Sequence, residues 1–155
     1  MSFEKRREIA SFFMRVMVGF ILIYSGYIKI SEPLESFISS IMAYKVVNDK
    51  IAYYIALALP WAEVYLGVFL VFGLFNKIII KISSLCFFVF EFLLMQAMIR
   101  RLEITECGCF GSMHSNPIGI EFVLNLVWLF FLYMGYRYSP NISLDRFVEN
   151  KFKEP

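Results

Sequence analysis

Charged residues are scarce in this chain, and neither sign dominates. Only 18% of the 155 residues are charged, the formal net charge is +2, and no long basic run is present. Nucleic acid is therefore not an expected partner, because phosphate backbones are bound through dense patches of Lys and Arg. The sequence also contains no internal repeat and no low-complexity segment.

Apolar residues are correspondingly abundant. They make up 59% of the chain, aromatic residues make up 19%, and the mean hydropathy is +0.66. Soluble domains are about 45–50% apolar, and a chain of this length cannot bury such an excess in water. Disorder is excluded too, because disordered segments have low hydrophobicity. The composition therefore indicates a membrane protein whose partner is the lipid bilayer.

The apolar residues are concentrated in four runs, each close to the roughly 20 residues that cross a bilayer as a helix. Backbone groups in lipid must be hydrogen-bonded within their own segment, and the strict alternation typical of a β-barrel is missing. The predicted fold is all-α, a four-transmembrane-helix bundle in a single domain over 1–155, with a polar cytoplasmic tail over 138–155. The predicted helices cover residues 9–29, 51–75, 78–99 and 117–137.

The segment between the first two runs predicts a short amphipathic helix on the outer membrane surface. Ser31-Glu32-Pro33 is typical of a helix start, because Pro is tolerated in the first turn. Apolar residues then recur at helical spacing at Leu34, Phe37, Ile38, Ile41 and Met42. An ordinary loop is the alternative interpretation.

Basic residues indicate an orientation. Lys and Arg are more numerous on the side of the two termini, which the positive-inside rule assigns to the cytoplasm. Arg15 lies about one turn inside the first run and is expected to extend back to that surface. The loop before the last helix is then on the outer face.

Three cysteines are the most reactive side chains. Cys107 and Cys109 form Cys-Gly-Cys in the predicted outer loop, whereas Cys86 lies in the third run and is expected to be a small buried hydrophobe. Two thiols one residue apart close a very small disulfide ring, and strained disulfides are easily reduced. The pair therefore suits a disulfide that is made and broken in turnover. Gly108 and Gly111 ease the backbone around it.

Three interpretations of the cysteine pair remain open. The first is redox exchange with a partner thiol or a quinone, and the second is a soft-metal site that adds His114 or Met113. The third is a static disulfide or two idle thiols. The outer position beside a helix start favours redox exchange. His114, the one histidine, is either an ordinary loop residue or a proton shuttle near the pair.

Ionisable residues within the apolar runs are a second group of candidates. Glu63 and Glu91 lie inside the second and third runs, and Lys29 at the end of the first run is a candidate partner. Such residues are costly in lipid and usually face the bundle interior. They either line a proton route or a quinone headgroup site, or join helices together with Gln96 and Asn125. Both interpretations stay open for Glu63, and the second is favoured for Glu91.

These motifs resemble those of the DoxX-like and MauE (methylamine-utilisation) membrane proteins, over about residues 10–135. The loop motif favours the MauE branch. The matching segments are Arg15-x3-Gly19, Ser25-Gly26-x2-Lys29, Leu59-Pro60-Trp61-x-Glu63-x3-Gly67 and Cys107-Gly108-Cys109-Phe110-Gly111.

The resemblance implies a four-helix protein of the bacterial cytoplasmic (inner) membrane. It links MauE-like proteins to maturation of disulfide-bearing periplasmic enzymes and DoxX-like proteins to electron delivery to quinone. These implied roles favour redox exchange over metal binding, so no metal is expected. We therefore predict a thiol–disulfide oxidoreductase whose Cys107 and Cys109 exchange electrons with a periplasmic thiol or thioredoxin-like protein and with membrane quinone. Trp61 is predicted as a wall of the quinone pocket and Glu63 as its polar group. The alternatives are a non-enzymatic membrane subunit or assembly factor with structural cysteines, and a soft-metal or small-solute carrier.

Overall fold

The computed structural model of the chain describes residues 3–102, 104 and 117–138. Four of the helices within these residues, all but α2, are long and apolar enough to cross a membrane. The predicted all-α bundle, with a short helix between its first two spans, is confirmed. The tail predicted over 138–155 lies, beyond Tyr138, outside the described residues. The helices are α1 (Phe3–Ser31), α2 (Leu34–Ala43), α3 (Asp49–Phe72), α4 (Asn76–Ile99) and α5 (Ile118–Arg137).

Helix α1 is longer than the apolar run that predicted it. Its 29 residues extend over about 44 Å, against about 30 Å for a hydrocarbon core, because its first turns are charged and exposed. The helix ends after Ser31, since Pro33 has no N–H to donate and disfavours helical backbone at Glu32. Helix α2 begins directly after Pro33 and buries Phe37 against the bundle.

The turn between α3 and α4 falls at residues 73–75, where the sequence predicted it at 76–77. Gly73 adopts a left-handed conformation (φ 69°), and its N–H donates to the carbonyl of Phe69 over 2.8 Å. This is a common helix C-terminal cap, and it ends α3 three residues before the apolar run does.

Arg15 is enclosed by the protein. Its side chain is 1% exposed, and a Cβ on Gly73 would lie 2.9 Å from its Nη1 and Nη2 atoms. Gly135 of α5 leaves room for the Arg15 Cβ on the other side. The expectation that Arg15 extends to the membrane surface is therefore wrong, because the α3–α4 turn and α5 cover it.

Helices α1 and α3 run in opposite directions with their backbones almost in contact. A Cβ on Gly19 would lie 2.8 Å from the carbonyl oxygen of Gly67, and one on Gly26 would lie 2.6 Å from that of Pro60. Small residues permit this close approach between membrane helices. Gly19, Gly26 and Gly67 therefore serve helix packing.

The apolar core lies between the four long helices. Its buried members come from all four, and are Val18, Leu22, Leu70, Ile79, Ile80 and Leu132. A second group, which we call the loop-end cluster, lies at the end of the bundle that carries α2. Its buried members are Tyr44, Leu94 and Ala97, and Phe90, Leu93, Leu102, Ile104, Ile118 and Phe122 pack against them.

The outer surface of the bundle is also apolar, as a lipid-facing surface must be. Large side chains such as Phe13, Leu85 and Phe88 are mostly exposed on the isolated chain. Cys86 shares this surface and is exposed. Its predicted burial is therefore wrong, because residue 86 lies on the face of α4 that points away from the core.

Candidate functional site

A buried ion pair joins α1 to α3. The Nζ atom of Lys29 lies 2.7 Å from Oε2 and 2.8 Å from Oε1 of Glu63, and the two side chains are 4% and 16% exposed. The sequence marked Lys29 as a candidate partner for an intramembrane carboxylate. In the structure its partner is Glu63.

Ser25 completes this group, which we call the polar cluster. Lys29 Nζ donates to Ser25 Oγ over 2.6 Å, and Ser25 Oγ donates to Glu63 Oε2 over 3.1 Å. Such additional hydrogen bonds are needed to offset the loss of water around a buried ion pair. Sequence reasoning quoted Ser25 only within a motif. Its position four residues before Lys29, on the same helix face, is the signal that identifies it.

The polar cluster borders a cavity of about 130 Å³. For scale, an engineered protein cavity of about 150 Å³ binds benzene. The site therefore has room for about one six-membered ring beside the ion pair. Apart from Lys29, Glu63, Ser40 and the Tyr44 hydroxyl, the lining is apolar and consists of Phe37, Ile41, Val46, Val47, Ile55, Leu59, Phe90 and Leu93.

Helix α2 packs over the polar cluster through Phe37, and the residue after α2 lines the same cavity. The Nζ atom of Lys29 lies 5.6 Å from the ring centroid of Phe37, within cation–π range. Tyr44 follows α2 and is buried. Burial, and to a lesser extent the nearby carboxylate of Glu121, raise the pKa of Tyr44 to about 12. Tyr44 therefore keeps its phenolic proton at physiological pH.

Glu91 takes part in a separate polar contact, between α4 and α5. Asn125 Nδ2 donates to Glu91 Oε2 over 2.7 Å and to the carbonyl of Phe87 over 3.0 Å. Glu91 Oε1 is buried without a hydrogen-bond partner among the described residues. The geometry is that of an interhelical hydrogen bond, and Glu91 does not line the cavity.

Trp61 also lies away from the cavity. It precedes Glu63 by two residues, which places it about 200° further round the helix, and it is 51% exposed on the outer surface. It is not part of the cavity lining, whose aromatic members are Phe37, Tyr44 and Phe90. The sequence did not identify these three residues as cavity lining. They come from separate parts of the chain, and the sequence does not show how those parts are placed relative to one another.

The predicted redox residues Cys107 and Cys109 lie outside the described residues, as do Gly108, Phe110, Gly111 and His114. The chain on both sides of them is described. Ile104 before the segment and Ile118 after it both pack in the loop-end cluster. Tyr44, Phe90 and Leu93 belong to that cluster and to the cavity lining. The chain between Ile104 and Ile118, which we call the cysteine segment, is therefore held beside the cavity at both of these residues.

No group of three His, Cys, Asp or Glu side chains is placed to hold a metal ion in the part of the chain that the structure describes. The polar cluster offers one carboxylate and one ammonium, which are already paired. What this arrangement can do is bind a small, largely apolar molecule and present an ion pair to it.

Comparison with protein families identifies the chain. The family described as methylamine utilisation protein MauE matches residues 7–137, a range that includes the four long helices almost completely. Comparisons with curated proteins and with solved structures give no match. The motifs of α1 and α3, with the glycine contacts and the ion pair that they form, lie within the matched range. The chain is a multi-pass membrane protein that belongs to the MauE family.

Proposed function

We propose that this protein is a membrane thiol–disulfide redox protein in which Cys107 and Cys109 pass electrons between an external thiol partner and a quinone bound in the cavity. One observation carries the proposal, namely the packing of the cavity walls against the chain that flanks the cysteines. A ring-sized, mostly apolar cavity with an ion pair suits a quinone headgroup better than it suits a metal or a charged solute.

Chain length supports the proposed exchange. Cys107 follows Ile104 by three residues, so their Cα atoms are at most about 11 Å apart, and Cys109 is at most about 18 Å from Ile104. Ile104 packs in the cluster that shares Phe90 and Leu93 with the cavity. The length of the chain therefore limits how far either thiol can lie from the loop-end cluster.

The proposed reaction balances as a two-electron exchange. The Cys107–Cys109 dithiol gives two electrons and two protons to the quinone, which becomes a quinol while the S–S bond forms. A thiolate of the partner then attacks this disulfide, and the resulting mixed disulfide is resolved by the partner's second thiol. The partner leaves as a disulfide and the Cys107–Cys109 dithiol is restored.

We propose the cytoplasmic membrane of a bacterium as the location, with both termini in the cytoplasm and the cysteine segment in the periplasm. The distribution of Lys and Arg supports this orientation. The partner class is a periplasmic dithiol protein, either thioredoxin-like or itself a target of disulfide formation. This agrees with the disulfide-maturation role that the resemblance implies for MauE-like proteins.

Thiol trapping tests the proposal. All chains carry Cys86→Ser, so that only Cys107 and Cys109 react, and intact cells with oxidised or reduced quinone pools are treated with a membrane-impermeant maleimide. We expect labelling with a reduced pool and little labelling with an oxidised pool, and we expect Cys107→Ser and Cys109→Ser to abolish this dependence. Labelling that is equal in both pools would overturn the redox function. Labelling only after the membrane is opened would reverse the proposed orientation.

Two further outcomes identify the alternatives. Full function of a chain with both Cys107→Ser and Cys109→Ser would indicate a non-enzymatic subunit or assembly factor. Metal that stays bound through purification and is lost on Cys109→Ser would indicate a soft-metal carrier.

A further inference from the structure

The hydrogen-bond donors of the polar cluster are fully used. A lysine ammonium has three N–H donors, and those of Lys29 have three acceptors, Oε1 and Oε2 of Glu63 and Oγ of Ser25. The hydroxyl of Ser25 donates to Glu63. Neither residue can donate to a ligand without giving up a bond within the cluster.

Glu63 has acceptor capacity to spare. A carboxylate accepts about four hydrogen bonds, and the described residues supply two to Oε2 and one to Oε1. Its side chain remains 16% exposed and lines the cavity. The free capacity lies chiefly on Oε1, so the charged wall of the cavity accepts hydrogen bonds and does not donate them.

The other hydroxyl groups of the lining do not reverse this polarity. Ser40 Oγ donates to the carbonyl of Ser36, one turn earlier on α2, over 3.2 Å. Tyr44 is buried and already has an interaction partner. A ligand in the cavity is therefore expected to supply a hydrogen-bond donor to the free acceptor position of Glu63.

The size and walls of the cavity define the rest of the ligand. Its volume of about 130 Å³ is slightly below that of a cavity of about 150 Å³ that binds benzene, so it has room for one six-membered ring. The rings of Phe37 and Phe90 in the lining offer the edge and face contacts that an aromatic ligand prefers.

We propose that this cavity binds a single six-membered ring whose hydroxyl group donates a hydrogen bond to Oε1 of Glu63. The identity of that ring as a quinol rests on the proposed function, and the site then holds quinol more tightly than quinone. Such a preference makes the bound quinone a stronger oxidant. A tenfold preference raises the two-electron potential by about 30 mV, which favours closing the Cys107–Cys109 disulfide.

Binding of redox-inert probes tests the proposal. Phenol carries the donor, and anisole has the same ring and an oxygen without the donor. Their dissociation constants are measured by titration calorimetry on the full chain in detergent micelles, corrected for partition into empty micelles. We expect phenol to bind about tenfold to a hundredfold more tightly, the size of a hydrogen bond to a charged acceptor.

Matched variants assign the preference to Glu63. Trp61→Phe lies on the opposite face of the same helix and is expected to retain the preference for phenol over anisole. Glu63→Leu combined with Lys29→Met is expected to abolish that preference. The double variant removes both charges together and so avoids leaving one of them buried alone. Equal binding of phenol and anisole to the unmodified chain would overturn the proposal, and so would a phenol preference that survives in the double variant.

The measurement does not depend on the cysteines, and it is repeated with Cys86→Ser, Cys107→Ser and Cys109→Ser combined. A phenol preference in a protein whose cysteines fail the thiol-trapping test sustains this inference and overturns the proposed function. If the thiols respond to the quinone pool but phenol binds no more tightly than anisole, the proposed function stands and this inference fails.

Discussion

Lys29 of α1 and Glu63 of α3 form a buried ion pair, with 2.7 Å between Nζ and Oε2. Ser25 binds both of them. A lone charge in this position would have neither water nor a counter-ion, which is costly in a membrane protein. The two helices therefore depend on each other for more than apolar packing.

Lys29→Met is expected to lower the free energy of unfolding by about 3–5 kcal/mol, because it leaves the Glu63 carboxylate buried without its counter-ion. The double variant Lys29→Met, Glu63→Leu should recover most of the loss. Unfolding by SDS titration from mild detergent measures both. Lys50→Met is the matched control, since Lys50 is exposed in the first turn of α3, and we expect a change within about 0.5 kcal/mol. A loss for Lys29→Met no larger than that of the control would contradict the prediction.

Gly67→Ala is expected to destabilise the bundle by about 1–3 kcal/mol, because the new Cβ would meet backbone that cannot move aside. It would lie 2.6 Å from the carbonyl oxygen of Gly19. Gly119→Ala is the matched control, since its Cβ would have no neighbour within 4 Å among the described residues, and its stability should stay within about 1 kcal/mol. The same unfolding titration compares them, and equal effects would refute the packing argument.

Tyr44 is expected to ionise later than an ordinary tyrosine. Burial and the Glu121 carboxylate raise the pKa of Tyr44 to about 12, whereas an unfolded tyrosine ionises near pH 10. The folded state favours the neutral phenol. The resulting stability is therefore complete below about pH 10 and is lost as the pH rises toward about 12.

The phenolate absorbance of the wild-type protein minus that of Tyr44→Phe isolates this titration. Glu121→Gln should move its midpoint down only in part, because burial is the larger cause. A difference curve centred near pH 10 would show that Tyr44 is not buried as described.

Asn125→Leu is expected to cost about 1–3 kcal/mol of stability, because it removes the donor to both Glu91 Oε2 and the Phe87 carbonyl. Adding Glu91→Leu should restore part of the loss, since removing both partners of a buried hydrogen bond is less costly than removing one. A double-mutant cycle of unfolding free energies measures the coupling. Simple additivity of the two changes would show that the contact contributes nothing of its own.

Hydropathy was sufficient to predict the spans, because lipid forces each apolar segment to satisfy its own backbone hydrogen bonds. It was also sufficient to single out Lys29 and Glu63, since isolated charges in such segments require partners. It did not give the inward faces of the helices. A helix that is apolar on all sides carries no signal for its buried face, and the exposed positions of Trp61 and Cys86 could not be predicted for this reason.

The cavity could not be predicted for a different reason. Phe37 and Tyr44 come from α2 and its end, while Phe90 and Leu93 come from α4. Their meeting depends on how α2 lies across the bundle and on where the α3–α4 turn begins. The spacing of residues within a single segment predicts neither the placement of α2 nor the start of this turn.

The two backbone contacts between α1 and α3 also determine how far one helix can slide along the other. Gly19 and Gly26 are seven residues apart, as are Pro60 and Gly67, so the contacts recur every two turns on both helices. A slip by one turn, about 5.4 Å, would set larger side chains against both partner backbones at once. The uncharged residues of these two contacts therefore hold Lys29 and Glu63 at the same height along the paired helices.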